Sequence, residues 1–271
     1  MTDRTFTVWG ARGSMAVSGR NIVRYGGNTT CFDVEAAPRH RLIVDAGTGL
    51  RNLERNLDLS LPHEFTIVFS HFHLDHIVGL PMFKPLYDAK HRFTFCAVPR
   101  DGMGVSDLIH GAYRPPWWPI TIHDAFASKV FREISGPFAV GGLTVTPTSL
   151  HHPQGGTGYR IDGTRRSIVV ATDHEAGERR IDRRLIELAS GADVLIHDGQ
   201  YTPEEYPTKV GWGHSTWKTA AETAREAGVQ RLVLTSHDPD RSDDGVDEQV
   251  RMARRVFPMT SGAFEGMTLK L

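Results

Sequence analysis

The amino-acid sequence predicts a mixed α/β fold, α+β in its grouping, with sheets covered by helices, and three observations predict it. Short apolar runs of strand length recur from the start of the chain with turn residues between them. Helical spacing of apolar residues enters later and alternates with further strand-like runs, the pattern of sheets packed beneath helices. The 271 residues are 39% hydrophobic and 23% charged, an ordinary globular mixture long enough to bury a substantial core.

Taken in order, strands are expected at residues 6–9, 31–34, 42–44, 65–69, 93–98, 143–145, 167–171, 194–196 and 232–234. Helices are expected at 181–188, at 216–227 behind Ser215 as N-cap, and at 246–256. Segment 81–124 is the least regular, with Pro115, Pro116, Trp117, Trp118 and Pro119 in a row, and reads as a long excursion over one edge. No repeat or linker divides the chain, so residues 1–271 read as one domain.

Charge and cysteine usage exclude several classes. Thirty-one Lys and Arg against 32 Asp and Glu leave a net charge of −1, too little basic excess to hold duplex nucleic acid by bulk charge. No run of about 18 apolar residues exists and the first residues carry no apolar leader, so neither a membrane span nor an export signal is expected. Cys31 and Cys96 stand 65 positions apart and outside every His cluster, which argues against disulfides and thiolate metal sites and for a reducing, cytoplasmic setting.

Chemistry concentrates directly after the strand at 65–69. Ser70, His71, Phe72, His73, Leu74, Asp75, His76 place three imidazoles and a carboxylate within six positions. In extended backbone residues i and i+2 share a side, so His71 and His73 can clasp one ion while Asp75 and His76 aim at a second. Two adjacent metal sites are expected.

From about Val8 to Asp240 the chain resembles the metallo-β-lactamase-fold hydrolases, in particular the phosphodiesterase and ribonuclease Z branch. The resemblance rests on the HxHxDH segment and on His152 before Gly158, Tyr159 and Arg160, with His151 as the alternative. It rests further on Asp173 at a strand end, and on His237 after residues 232–236. It implies a four-layer αββα sandwich of the metallo-β-lactamase type. His71, His73 and His152 would hold one divalent ion, Asp75, His76 and His237 another, and Asp173 would bridge them. Mixed imidazole and carboxylate donors suit Zn, Mn, Fe or Ni, with zinc the default. Aspartate rather than cysteine at 173 sets the chain apart from the antibiotic-hydrolysing members.

Gly211, Trp212, Gly213, His214, Ser215, Thr216 resemble the His-Ser-Thr motif of the same branch, whose histidine faces the scissile phosphate. His214 is therefore the expected general acid or phosphate contact, beside Asp75 as a catalytic carboxylate. The stretches 8–14 and 25–31 resemble the WGxRGS and YGGNTxC signatures of soluble phosphodiesterase-like hydrolases, and they read equally as tight turns; Arg12 is a candidate phosphate contact. Asp45 reads as a turn residue or a partner of the metal histidines, and Asp198 as a proton shuttle or a turn cap. Trp117, Trp118 and Tyr113 read as a wall for a nucleobase or as a dimer seam. Only 20 residues separate His152 from Asp173 (173 − 152 − 1), and Asp238, Asp240, Asp243 and Asp244 form an acidic lip. The expected substrate is thus a small phosphodiester, such as a cyclic nucleotide, rather than tRNA, and the expected assembly a homodimer. Lactone or thioester hydrolysis, and metal binding without turnover, are the alternatives.

Overall fold

The computed structural model describes residues 4–100 and 102–271. The chain opens with strands β1 (Thr5–Gly10), β2 (Cys31–Ala37) and β3 (His40–Val44), then helix α1 (Leu50–Arg55), β4 (Glu64–Val68) and the single turn α2 (Leu74–Ile77). It continues through β5 (Arg92–Ala97), α3 (Val105–Ala112), β6 (Ser128–Glu133), β7 (Phe138–Val140), β8 (Leu143–Leu150), β9 (Gly156–Asp162) and β10 (Ser167–Ala171). Helix α4 (Arg179–Ala189), β11 (Val194–Asp198), α5 (Trp217–Ala227), β12 (Arg231–Thr235), α6 (Asp243–Ala253), β13 (Thr260–Gly262) and β14 (Thr268–Lys270) complete it.

Two seven-stranded sheets result, ordered β14-β1-β2-β3-β4-β5-β6 and β13-β12-β11-β10-β9-β8-β7. Why they stack follows from the side-chain period of two. Leu42 and Val44 enter the core between the sheets while Ile43 faces outward; Ile168 and Val170 do the same against Val169, as do Val194 and Ile196 against Leu195. Strands buried on both faces need a helix layer outside each sheet. On the first sheet Leu50 and Leu53 of α1 and Val105 and Ile109 of α3 supply it; on the second, Leu185 of α4, Ala220, Ala221 and Ala224 of α5 and Val246 and Val250 of α6. The architecture is the expected αββα sandwich.

Two local expectations change. Segment 81–124 is not wholly an excursion, because β5 within it pairs in parallel with both β4 and β6. The N-cap of α5 is Thr216 rather than Ser215: the Thr216 hydroxyl accepts the amide of Thr219 at 3.1 Å, while the Ser215 hydroxyl donates to the carbonyl of His174. No helix among the described residues is long and apolar enough to cross a membrane.

Strands β3 to β6 run parallel, as do β10 to β13. Their carboxyl ends carry the loops in which parallel sheets commonly place binding groups. The segments after β4, β8, β10, β11 and β12 meet along one rim of the sandwich.

A candidate metal centre between the two sheets

Asp173, just past β10, sits at the middle of the rim. Its Oδ2 lies 3.2 Å from Nε2 of His76, 3.6 Å from Nε2 of His71 and 3.9 Å from Nε2 of His152. His71 comes from the loop after β4 in one sheet and His76 from α2 that follows it, and His152 and Asp173 from loops of the other sheet. His71, His73 and His152 also form a group whose ligand atoms all lie within 4.8 Å of one another, with His73 Nδ1 3.0 Å from His152 Nε2. Asp75 Oδ2 lies 3.3 Å from His76 Nε2.

A second partner orients each of these rings. The Asp45 carboxylate accepts from His76 Nδ1 at 2.8 Å and from the amide and hydroxyl of Ser70, both at 2.7 Å. His152 Nδ1 donates to the carbonyl of Gly213 at 2.8 Å, and His73 Nε2 lies 3.1 Å from Gln154 Oε1. The nitrogens left over face inward, the arrangement by which imidazole ligands are fixed in tautomer and direction. Asp75 Oδ2 accepts the Ser14 amide at 2.8 Å.

Burial and charge divide the roles. Burial, reinforced by His76, holds the His71 pKa well below the ordinary histidine value, and burial pushes His152 down to about 4, so both rings are neutral with lone pairs available. Burial opposes charge on Asp173, but His76 and His214 outweigh it and keep the carboxylate ionised. His214 joins Asp173 and Asp198 in a further group, its ring 5.5 Å from that of His152. Its Nδ1 donates to Asp198 Oδ2 at 2.6 Å. Burial would lower its pKa; Asp198 and then Asp173 overcome this and raise it to about 9. Glu175 pins the loop that delivers His214, accepting the amides of Gly211 and Gly213 and the hydroxyl of Tyr206, each at 2.8 Å.

A family profile described as a beta-lactamase superfamily domain matches residues 40–237, well over half of the chain. The chain belongs to the β-lactamase superfamily. Ribonuclease Z of Synechococcus sp. (strain WH7803) is 27% identical over 273 residues, covering 80% of this chain and 83% of that one. Ribonuclease Z of Archaeoglobus fulgidus is 39% identical over 95 residues, but that match spans only 31% of its length and 35% of this chain. Among solved structures, the metallo-beta-lactamase fold protein YhfI from Bacillus subtilis has a TM-score of 0.74 at 18% identity over 100% of both chains. A diphosphatase from the PhnP family has a TM-score of 0.73 at 18% identity, covering 99% of this chain and 98% of that one. These two likenesses show the fold.

The rim of this β-lactamase superfamily member fits a divalent ion. Nε2 of His71 is buried without any hydrogen-bond partner, facing Asp173, and a desolvated ring nitrogen of that kind is what a metal satisfies. Of the expected metal-binding residues, His71, His73, Asp75, His76, His152 and Asp173 converge. His152 is the member of its pair that joins them, since His151 Nδ1 is bonded to the carbonyl of Glu175.

His237 does not converge, which corrects that expectation. Its Nε2 donates to the carbonyl of Ala263 at 2.9 Å and its ring packs edge-on against Tyr25 at 5.3 Å. One step along the chain reverses the face, and Ser236 is the residue that reaches Asp173, donating to Oδ1 at 3.1 Å. Arg12 is likewise no substrate contact. It is fully buried, and its guanidinium donates to the carbonyls of Gly26, Asp238 and Arg241, tying three loops together.

Neither Trp117, 76% exposed, nor Trp118 lines the cavity of about 200 Å³ beside His71 and His73; Phe72, Arg100, Met103, Leu108, Pro153 and Gln154 do. Tyr113 is buried and donates its hydroxyl to the carbonyl of Ile77. Part of the acidic lip is engaged within the chain: Asp243 accepts the amides of Val23 and Arg24, and the single cation Arg24 pairs with Asp244 and with the neighbouring Asp247. Sequence reasoning missed Ser236, passed over for its neighbour His237 in the same stretch, and Glu175, Gln154 and Arg100, which sit in no motif.

Proposed function

We propose that this protein is a divalent-metal-dependent phosphodiesterase acting on a small phosphodiester, a 2′,3′- or 3′,5′-cyclic nucleotide or one of similar size. The observation that carries this reading is the His214–Asp198 pair beside Asp173. Cleaving a phosphodiester expels an alkoxide, which needs a proton, and a protonated imidazole held at the metal rim is placed to give it. Ester and lactone hydrolysis has less use for a fixed cation that also faces the two non-bridging phosphate oxygens. The name of the ribonuclease Z relatives points to phosphodiester chemistry.

His71, His73 and His152 with Asp173 would hold the ion, zinc by default. A divalent ion there supplies charge stabilisation for a phosphoryl oxygen and acidifies water to a pKa of about 7. The chain's own groups do the rest. Asp75, oriented by the Ser14 amide, takes up the proton of the attacking water; His214 Nε2 donates to the leaving oxygen while Asp198 keeps the ring charged and aimed. The cavity lined by Phe72, Met103 and Leu108 receives one apolar substituent. At about 200 Å³ it is smaller than the roughly 300–1,000 Å³ of sites for drug-sized ligands.

The ribonuclease Z relatives favour a second reading, processing of precursor tRNA. Here the path from His152 to Asp173 is β9 and β10 joined by a turn at 163–166, which leaves no protruding arm to grip RNA. One screen decides: cyclic nucleotides, a bis-aryl phosphate, lactones, thioesters and precursor tRNA, each with metal-loaded enzyme. Turnover of small diesters is expected. Cleavage of tRNA alone, or of lactones alone, overturns the proposal.

A further inference from the structure

We infer that the two halves of the centre are unequal, one holding a divalent ion tightly and the other lacking the donor needed to retain a second; this rests on the reading of the rim as a metal centre. The first half has three inward ring nitrogens, from His71, His73 and His152, closed by the Asp173 carboxylate. The second has His76 Nε2 and Asp75 Oδ2, and otherwise only the Asp173 carboxylate that the first half also uses.

The residue that could complete the second half is fixed by chain geometry. Past the end of β12 the position facing Asp173 is Ser236, whose hydroxyl donates to Oδ1. A neutral hydroxyl is a poor ligand for a transition metal beside imidazole and carboxylate. His237 keeps one ring nitrogen, Nδ1, without a hydrogen-bond partner, but it belongs to no group of converging donors among the described residues. Its amide donates to the carbonyl of Ala11, its Nε2 to Ala263, and its ring is buried against Tyr25. His214 groups with Asp173 and Asp198 rather than with His76 and Asp75, and its ring lies 5.5 Å from that of His152 in the first half.

Ser236 has φ 56°, a left-handed conformation in which histidine is enriched several-fold over most side chains. Ser236→His therefore places an imidazole at the missing corner without demanding a new backbone.

The test counts ions rather than activity. Protein loaded with Zn²⁺ or Mn²⁺ is passed over a desalting column with a moderate chelator, and retained metal per chain is measured. The native chain is expected to keep one ion, and titration calorimetry should show the second binding at least about 100-fold more weakly. Ser236→His should keep two and, with Mn²⁺, show the exchange-coupled spin spectrum of a metal pair that the native chain does not. His237→Gln should retain the native count. Two equally tight ions in the native chain, or loss of the retained ion in a folded His237→Gln, overturns the inference, and the native measurement stands by itself if Ser236→His fails to fold. A folded native chain that takes up no ion overturns the metal reading beneath it as well.

Discussion

Ser14, Arg39, Asp45, Gln154, Asp173 and Ser236 are the non-glycine residues with positive φ among the described residues, and five of the six belong to the centre or bond to it. Ser14 holds Asp75 through its amide, Asp45 holds His76, Gln154 meets His73, and Ser236 meets Asp173. Each such conformation costs on the order of 1–2 kcal/mol, so strain gathers at the candidate centre. Ser14 serves Asp75 through its backbone amide, while its side chain is exposed and its hydroxyl accepts only a long bond of 3.4 Å from Gln200. Ser14→Gly should therefore retain activity within about twofold and change stability favourably, by up to about 1 kcal/mol; a large loss of turnover would show that the hydroxyl matters. His214 makes a second test. Its pKa, raised to about 9, means that the charged ring persists through neutral pH, that its pairing stabilises fully below the unfolded value near 6.5, and that this is lost as pH rises through about 9. Activity should fall on the same alkaline limb. In Asp198→Asn the opposing effect of burial prevails, so the limb should move below its native position and kcat at pH 8 should drop roughly 10²-fold with metal content unchanged. An unmoved limb would take His214 out of the proton path.

At the scale of elements, the centre depends on how one sheet is tied to the other. Tyr159 of β9, fully buried between the sheets, donates its hydroxyl to the carbonyl of Phe69 at 2.6 Å, two residues before His71. Tyr159→Phe should cost about 1–2 kcal/mol in denaturant unfolding, because it leaves a buried carbonyl unsatisfied, and should weaken metal binding by letting the His71 loop shift. No change in either would show that packing alone sets the loop. The strands around these positions were legible because both their faces are buried: residues 65–69 and 167–171 read as nearly continuous apolar runs, interrupted only by Thr66 and Ser167. The edge strand β6, Ser128–Glu133, was not, since its residues are mostly exposed or half-buried. Helices α1 and α2 escaped notice because four to six residues cannot show a repeat of 3.6. The donors clustered by sequence spacing, His71 to His76, were legible in type and place. Which of Ser236 and His237 faces inward was not, because that is set by a single left-handed residue at a strand end. Arg12 sits in a recognisable glycine-flanked stretch, yet what it touches is decided by the carbonyls of Gly26, Asp238 and Arg241, which are distant in sequence.

For the molecule as a whole, the centre is a bridge between halves that are also joined by apolar packing and by hydrogen bonds such as that from Tyr159 to Phe69. His76 and Asp173 are 97 positions apart and His73 and His152 are 79 apart, and each pair spans the two sheets. An ion that binds only the folded chain stabilises it by about 2.7 kcal/mol at 100 times its dissociation constant, which for a chain above 150 residues corresponds to roughly 5–10 °C in Tm. Chelation should lower Tm by that amount and restoration of zinc should return it; a Tm indifferent to both would mean that the donors do not bind metal. The strand order adds a consequence for assembly in time. Strand β14 closes the edge of the first sheet beside β1, yet it follows every strand of the second sheet in the chain. The amides of Arg4 and Val8 donate to the carbonyls of Leu271 and Met267, so they gain their partners only after the polypeptide has passed through the whole second sheet. During refolding followed by pulsed hydrogen exchange, these two amides should become protected later than those in the centre of β11 and β12. A ribosome making this protein would hold an open-edged first sheet until the final strand emerges.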